Sequence, residues 1–84
     1  MDISFHSEAI RFELQQKIYH KKWIRAWLES HKLVPGAISF IFTSNERLRR
    51  MNQEFLNHNY FTDVITFDYS EGKTISGDVF ISIE

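Results

Sequence analysis

Residues 37–42 read AISFIF, a nearly continuous apolar run that contains β-branched and aromatic side chains. A strand with one face in water alternates apolar and polar residues, whereas a strand buried on both faces reads as an unbroken apolar run. The segment therefore predicts a central strand. The rest of the chain is best placed relative to it.

Directly after this run, residues 43–46 read TSNE and predict the start of a helix. Thr43 and Glu46 have the spacing of a capping box, and Ser44 is an equally good N-cap, so two capping schemes remain open. We expect the helix to continue to about Asn57. Its apolar stripe consists of Leu48, Met51 and Phe55.

Before the apolar run, residues 16–32 show the three- and four-residue spacing of an amphipathic helix. The side chains that converge on its apolar face, and that we assign to the core, are Trp23, Ile24, Trp27 and Leu28. Pro35-Gly36 is expected to end this helix and start a turn. At the amino end, Ile3 and Phe5 alternate with polar residues and predict a short strand.

After the second helix, residues 64–69 read VITFDY and alternate between a polar and an apolar set, as in a strand with one buried face. Residues 79–83 alternate similarly after a loop with two glycines, which favours a hairpin. The order is strand, helix, strand, helix, strand, strand. It predicts an α+β fold with a mixed sheet of about four strands and both helices on one face.

The 84 residues include no cysteine, which excludes disulfide scaffolds, thiolate zinc sites and cysteine nucleophiles. The length permits one domain, near the lower limit for a self-sufficient core. The amino end has acidic residues where a signal peptide would be basic and apolar, and no run is long enough to span a bilayer. We expect a cytoplasmic protein. Because the chain stops within strand sequence, we expect residues 1–84 to be the N-terminal portion of a larger single-domain protein.

The charge is unevenly distributed although the formal net charge is only -1. Residues 16–50 hold eight basic and two acidic side chains, a balance of +6. Such a segment suits an anionic partner such as RNA, because phosphates attract lysine and arginine. Ordinary solvated helix faces would have the same composition, so both interpretations stay open.

Catalytic motifs are not evident in the residues themselves. His20 and His31 share a helix face but lie about 16 Å apart at 1.5 Å per residue, too far to bind one zinc ion. Asp63, Asp68 and Asp78 would suit a hard cation or acid–base chemistry, or equally the capping of backbone amides. Most aromatic residues, including Phe40, Phe42 and Phe67, follow core spacing. Tyr60-Phe61 is the exception, a loop pair that would stack on bases.

Residues 41–83 combine these features in a characteristic order. A strand and a helix with Leu48 and Asn52-x-x-Phe55-Leu56 precede the segment TDVITF at 62–67, and GDVFIS follows at 77–82 after a variable loop. This arrangement resembles the YbeY family of bacterial endoribonucleases, which mature ribosomal RNA and take part in ribosome quality control. The motifs cover about half of the chain, and the element order covers nearly all of it.

The resemblance implies a metal-dependent endoribonuclease that cuts single-stranded RNA with a zinc ion held by three histidines. In the family these histidines lie in a later helix and loop, in a motif that this chain does not contain. We therefore expect the 84 residues to have no catalytic residue, to bind no metal alone and to be inactive alone. The intact protein would act on ribosomal RNA and the ribosome, without a membrane partner.

Four residues match the family motifs one by one, and we expect them to shape the groove beside the metal: Thr62, Asp63, Gly77 and Asp78. Gly77 would give a tight backbone turn, and the two aspartates would fix loops through hydrogen bonds.

The family often has an arginine in the loop after the second helix, at the position that Leu56 occupies here. Either a neighbouring cation substitutes for it, with Arg49, Arg50 and His58 as candidates, or this branch of the family uses the loop differently. The candidates for RNA binding are Arg47, Arg49, Arg50 and His58. The alternative function is a non-catalytic α+β module that binds RNA or the ribosome through the same basic helices.

The small size of the chain predicts a low stability. A core of this size rarely contributes more than about 3 to 5 kcal/mol net, so the chain alone should be marginal or should self-associate through an open sheet face. The strand at 79–83 would offer unpaired backbone groups to a neighbour if it lies on an edge.

Overall fold

The computed structural model describes residues 2–56 and 63–83. Their elements follow the predicted order: β1 (Asp2–Ser7), α1 (Lys17–Ser30), β2 (Val34–Thr43), α2 (Asn45–Leu56), β3 (Val64–Asp68) and β4 (Thr74–Ser82). The α+β class and the single mixed sheet of four strands are therefore confirmed.

The strands lie side by side in the order β1-β2-β4-β3. β2 is parallel to both β1 and β4, whereas β3 and β4 form the predicted antiparallel hairpin. The apolar run at 37–42 lies in an interior strand, as expected. β4 is interior as well, so the segment 79–83 does not offer the unpaired edge that we considered. The sheet edges are β1 and β3.

The two helices pack on opposite faces of the sheet, so the prediction that they share one face is wrong. Ile3 is in register with Ile38, and this face receives Leu28 of α1. The residues that contact Leu48 and Met51 of α2, among them Ile65, belong to the other face. We call these the α1 face and the α2 face. Each helix covers about half of its face, with α1 contacting β1 and β2 and α2 contacting β3 and β4.

The Pro35-Gly36 pair lies inside β2 and does not form the predicted turn. The pairing of β2 with β4 shifts register between Pro35 and Ile38, and such a bulge tolerates a residue that lacks an N–H. Helix α1 ends at Ser30, before the Pro35-Gly36 pair. Lys32 adopts φ 60°, and the N–H groups of Lys32 and Leu33 donate to the carbonyls of Glu29 and Leu28. This is a Schellman cap in which lysine occupies the usual glycine position.

The two tryptophans are not in the core, contrary to the sequence prediction. Ile24 and Leu28 make the contact with β1 and β2, while Trp23 is 60% exposed and Trp27 50% exposed. A helix that lies on only two strands buries a narrow stripe, so the flank of its apolar face remains in solvent. The predicted phenylalanines behave differently, since Phe42 is buried and Phe40 and Phe67 pack against the two core clusters.

The start of α2 resolves the choice between the two capping schemes. The Ser44 hydroxyl accepts a hydrogen bond from the Arg47 N–H at 3.1 Å, which makes Ser44 the N-cap. Thr43 is fully buried, and its hydroxyl has no hydrogen-bond partner among the residues that the structure describes.

Replacing Ser44 with alanine should destabilise the fold by about 1 kcal/mol, because an N–H in the first turn of α2 loses its acceptor. For a chain of this size, that loss corresponds to a Tm about 4 to 8 °C lower. Thr43→Val is the matched control. It removes a hydroxyl that makes no bond to the described residues, so its Tm should equal or exceed that of the parent. A larger loss for Thr43→Val than for Ser44→Ala would contradict this assignment of the cap.

Candidate functional site

Three of the four residues expected to shape one groove are described, and they do not lie at one point of the sheet: Asp63, Gly77 and Asp78. Asp63 precedes β3, and its carbonyl accepts a hydrogen bond from the Ser82 N–H at 2.9 Å, near the end of β4. Asp78 lies four residues earlier in that strand, a separation of about 13 Å at 3.3 Å per residue. Asp63 is therefore not brought together with the Gly77-Asp78 pair.

Gly77 and Asp78 point to opposite faces of the sheet because they are consecutive residues of a strand. Gly77 is in register with Ile38 and belongs to the α1 face, whereas Asp78 is in register with Ser39 and Phe67 on the α2 face. Gly77 is buried, and a Cβ at this position would lie 2.4 Å from the Phe67 carbonyl oxygen. Close approach of two strands, rather than a turn, requires the glycine.

Each face has a groove beside this pair. The groove on the α1 face has a volume of about 220 Å³ and is lined by Gly77 together with Thr66, Asp68 and Ser70. The groove on the α2 face has a volume of about 250 Å³. Its lining combines one cation and one carboxylate with apolar and aromatic side chains: Arg47, Met51, Phe55, Phe67, Tyr69, Asp78 and Phe80.

The α2 groove brings together Arg47 and Asp78, two of the residues predicted from the sequence. Phe55 and Tyr69 also line it and are exposed. From the sequence, Phe55 belongs to the apolar stripe of the second helix and Tyr69 to the apolar set of residues 64–69. Phe55 is near the end of the helix stripe and Tyr69 follows the last residue of β3, and element ends are where a buried pattern extends into solvent. The three phenylalanines form successive edge-to-face contacts, with centroids 5.8 Å apart for Phe55–Phe67 and 6.0 Å for Phe67–Phe80.

The arginines of α2 do not form a single patch. Arg47 donates to Glu8 at 3.1 Å, which ties α2 to the loop after β1. Arg49 lies two positions further and therefore on a different side of the helix. It donates to Glu46 at 2.6 Å, and this hydrogen bond lowers the pKa of Glu46 and raises that of Arg49. Arg50 is exposed and lies one turn from Arg47.

Asp68 at the end of β3 holds the following turn. Hydrogen bonding from Ser70, through its hydroxyl and its backbone N–H, lowers the pKa of the Asp68 carboxyl. The N–H contact measures 2.8 Å. Ser70 in turn bonds to Ser76 of β4, so this carboxylate acts structurally at the rim of the α1-face groove.

Metal ligands do not assemble within residues 2–56 and 63–83, where no three His, Asp or Glu side chains come close enough to share an ion. His20 lies edge-on to Phe5 with ring centroids 6.4 Å apart, and His31 stacks against Trp27 at 4.1 Å. The described residues therefore do not fit the zinc ion that the resemblance implies.

Several predicted residues lie outside the described part of the chain. These are Thr62 of the family motif, the RNA-binding candidate His58, the stacking pair Tyr60-Phe61 and the side chain of Leu56. Among the described helices, none is long and apolar enough to cross a membrane.

The family model and the curated relatives that match this chain carry the same family name. The family model described as endoribonuclease YbeY matches residues 2–84. The endoribonuclease YbeY of Parabacteroides distasonis is 43% identical over the whole chain, and that of Bacteroides fragilis is 40% identical over the whole chain. The Flavobacterium psychrophilum protein is 43% identical over 98% of the chain. No solved structure gives a significant match.

The family-model match over residues 2–84 and the relatives that are 40–43% identical show the family of this chain. Specifically, the chain belongs to the YbeY endoribonuclease family. It spans 59% of the P. distasonis protein, 60% of the B. fragilis protein and 58% of the F. psychrophilum protein.

Proposed function

We propose that this chain contributes the sheet and two helices of a metal-dependent endoribonuclease that cuts single-stranded RNA. The observation that carries the proposal is the family match over residues 2–84, supported by relatives that are 43% identical and named as endoribonucleases. Maturation of ribosomal RNA, ribosome quality control and a cytoplasmic location are the finer parts of the proposal, and they follow from the resemblance alone.

In this proposal the described residues contribute the framework rather than the chemistry. A zinc ion in the intact enzyme would polarise a phosphate or activate a water. The described residues offer no ligand set for it. The glycine at 77 allows β3 to lie close to β4, and Asp78 and Arg47 both line the α2 groove. These residues would border an RNA strand without taking part in cleavage.

The test compares three proteins on a labelled single-stranded RNA, with zinc and with a chelator. They are the 84-residue chain, the full-length P. distasonis relative, and a chimera in which the remaining two-fifths of that relative follow the 84 residues. We expect cleavage by the relative and the chimera with zinc only, and none by the 84-residue chain. A folded chimera that does not cleave would refute the proposed function. Cleavage by the short chain would show that the catalytic groups lie within it.

A second function, a non-catalytic module that binds RNA or the ribosome, is favoured by the +6 balance of residues 16–50 and by the absence of a metal cluster from the described residues. It predicts RNA binding that weakens steeply with salt. The variant with Arg47, Arg49 and Arg50 changed to glutamine should bind more weakly and show a shallower salt dependence. Because Arg47 and Arg49 are already paired with carboxylates, the matched single variant Arg50→Gln should account for most of the effect. Unchanged affinity and salt slope in the triple variant would exclude this module.

A further inference from the structure

An aromatic row runs along the solvent side of α1 and takes no part in the core. Tyr19, Trp23 and Trp27 follow one another at intervals of four residues and therefore lie on the same flank of the helix. Their side chains are 61%, 60% and 50% exposed. Exposed tryptophans at regular spacing are not needed to hold the helix on the sheet, because Ile24 and Leu28 already do so.

The carboxyl end of the aromatic row is held in place by neighbouring polar groups. The Trp27 carbonyl accepts a hydrogen bond from the Ser30 hydroxyl at 2.7 Å and lies 2.9 Å from the His31 Nδ1. The His31 ring lies against Trp27 with centroids 4.1 Å apart and planes inclined by 30°. At the other end, Tyr19 contacts His20 edge-on at 5.6 Å. Trp27 and Tyr19 therefore each have a neighbouring ring that restricts their rotation, and a restricted ring loses less conformational freedom when a flat ligand stacks on it.

The charge around the aromatic row identifies the partner chemistry. Helix α1 with its C-terminal turn contains five basic residues and one acidic residue, a net charge of +4: Lys17, Lys21, Lys22, Arg25, Lys32 and Glu29. Lys22 lies three residues from Tyr19 and is therefore its neighbour on the helix surface, whereas Lys17 and Lys21 lie two residues from Tyr19 and on a different side. A second copy of this chain docked through the same helix would bring two such charges together, which disfavours a homodimer. A polyanion with flat apolar rings satisfies both the charge and the aromatic surface.

The spacing of the rings distinguishes single strands from duplexes. Four helical residues span about 6 Å along the axis, so successive rings of the row are about that far apart. Bases along one strand of a duplex lie about 3.4 Å apart and are already stacked. An extended single strand is able to place successive bases against successive rings.

We propose that the aromatic row and Lys22 beside it form a stacking surface for an extended single strand of RNA, separate from the grooves along β4. The choice of RNA rests on the proposed function, and the inference adds where the strand is held before or during cleavage. Bases would stack on the tryptophan rings, Lys22 would neutralise a phosphate beside them, and the +4 charge of the helix would attract the strand.

The tryptophans themselves report on this surface, because Trp23 and Trp27 are the two tryptophans of the chain. Titration with a short oligouridylate should quench their fluorescence, whereas a duplex RNA of equal length should leave it nearly unchanged. Trp23→Ala should lower the affinity for oligouridylate by between about 5-fold and about 150-fold, the range measured for single stacking aromatics. Trp23→Phe, which keeps a ring, should restore most of the affinity.

Ile18→Ala is the matched control, because Ile18 is 71% exposed on the same helix but lies on the opposite flank. It should bind like the parent, and melting curves should show all three variants folded. Binding without quenching, equal affinity for duplex, or unchanged affinity in folded Trp23→Ala would each overturn the proposal. A dimer that dissociates in Trp23→Ala, with no quenching by RNA, would assign the row to a second copy instead.

The outcomes separate this inference from the proposed function. Cleavage by the chimera together with unquenched tryptophans would refute the stacking surface alone. Quenching that depends on Trp23, together with no cleavage by the folded chimera, would refute the nuclease function alone.

Discussion

Gly77→Ala is expected to remove most of the stability of the fold. The added Cβ would lie 2.4 Å from the Phe67 carbonyl oxygen, a backbone atom of the paired strand that is unable to rotate away. Relief requires β3 to move off β4 along the hairpin. Overpacking of this kind costs about 3 kcal/mol or more, which is comparable with the whole stability expected of so short a chain.

The measurement is a thermal melt followed by circular dichroism, in which the Tm should fall by about 12 °C or more. Gly72→Ala is the control, since it has φ 56° but no heavy atom within 4 Å of the new Cβ. It should lose only about 1 kcal/mol from the strained backbone. A loss for Gly77→Ala no larger than that for Gly72→Ala would contradict the close approach of β3 as the cause.

Leu48→Ala should have the next largest effect, a loss of about 2 to 5 kcal/mol. Leu48 is fully buried where α2 meets β3 and β4, against Met51, Ile65 and the half-buried Phe67 and Phe80. Alanine would leave a cavity that the sheet is unable to close, because the strands are held by their backbone hydrogen bonds. Urea unfolding should show a lower midpoint with an unchanged slope.

Two further variants test this interpretation of the α2 cluster. Leu48→Met conserves volume and should lose less than about 1.5 kcal/mol. Ile18→Ala removes an aliphatic side chain that is exposed on α1 and should change stability by no more than about 0.5 kcal/mol. A Leu48→Ala midpoint close to that of Ile18→Ala would mean that α2 does not contribute to the cooperative core.

The sequence was sufficient for features that depend on neighbouring residues. The apolar run at 37–42 predicted an interior strand, and the alternation at 64–68 predicted which side of β3 is buried. The start of α2 within residues 43–46 was also predicted, since capping is local. Backbone hydrogen bonding and side-chain periodicity over a few residues determine each of these features.

Other features depend on contacts between distant segments, and only the tertiary structure decided them. Register across three strands places Gly77 on the α1 face and Asp78 on the α2 face, and it puts the helices on opposite sides of the sheet. A bulge against β4 admits Pro35 into β2. The two-strand footprint of α1 leaves Trp23 and Trp27 in solvent, although their spacing alone is that of a buried stripe. The spacing of apolar residues shows on which flank of a helix they lie. Their burial depends on how much of the sheet extends beneath that flank.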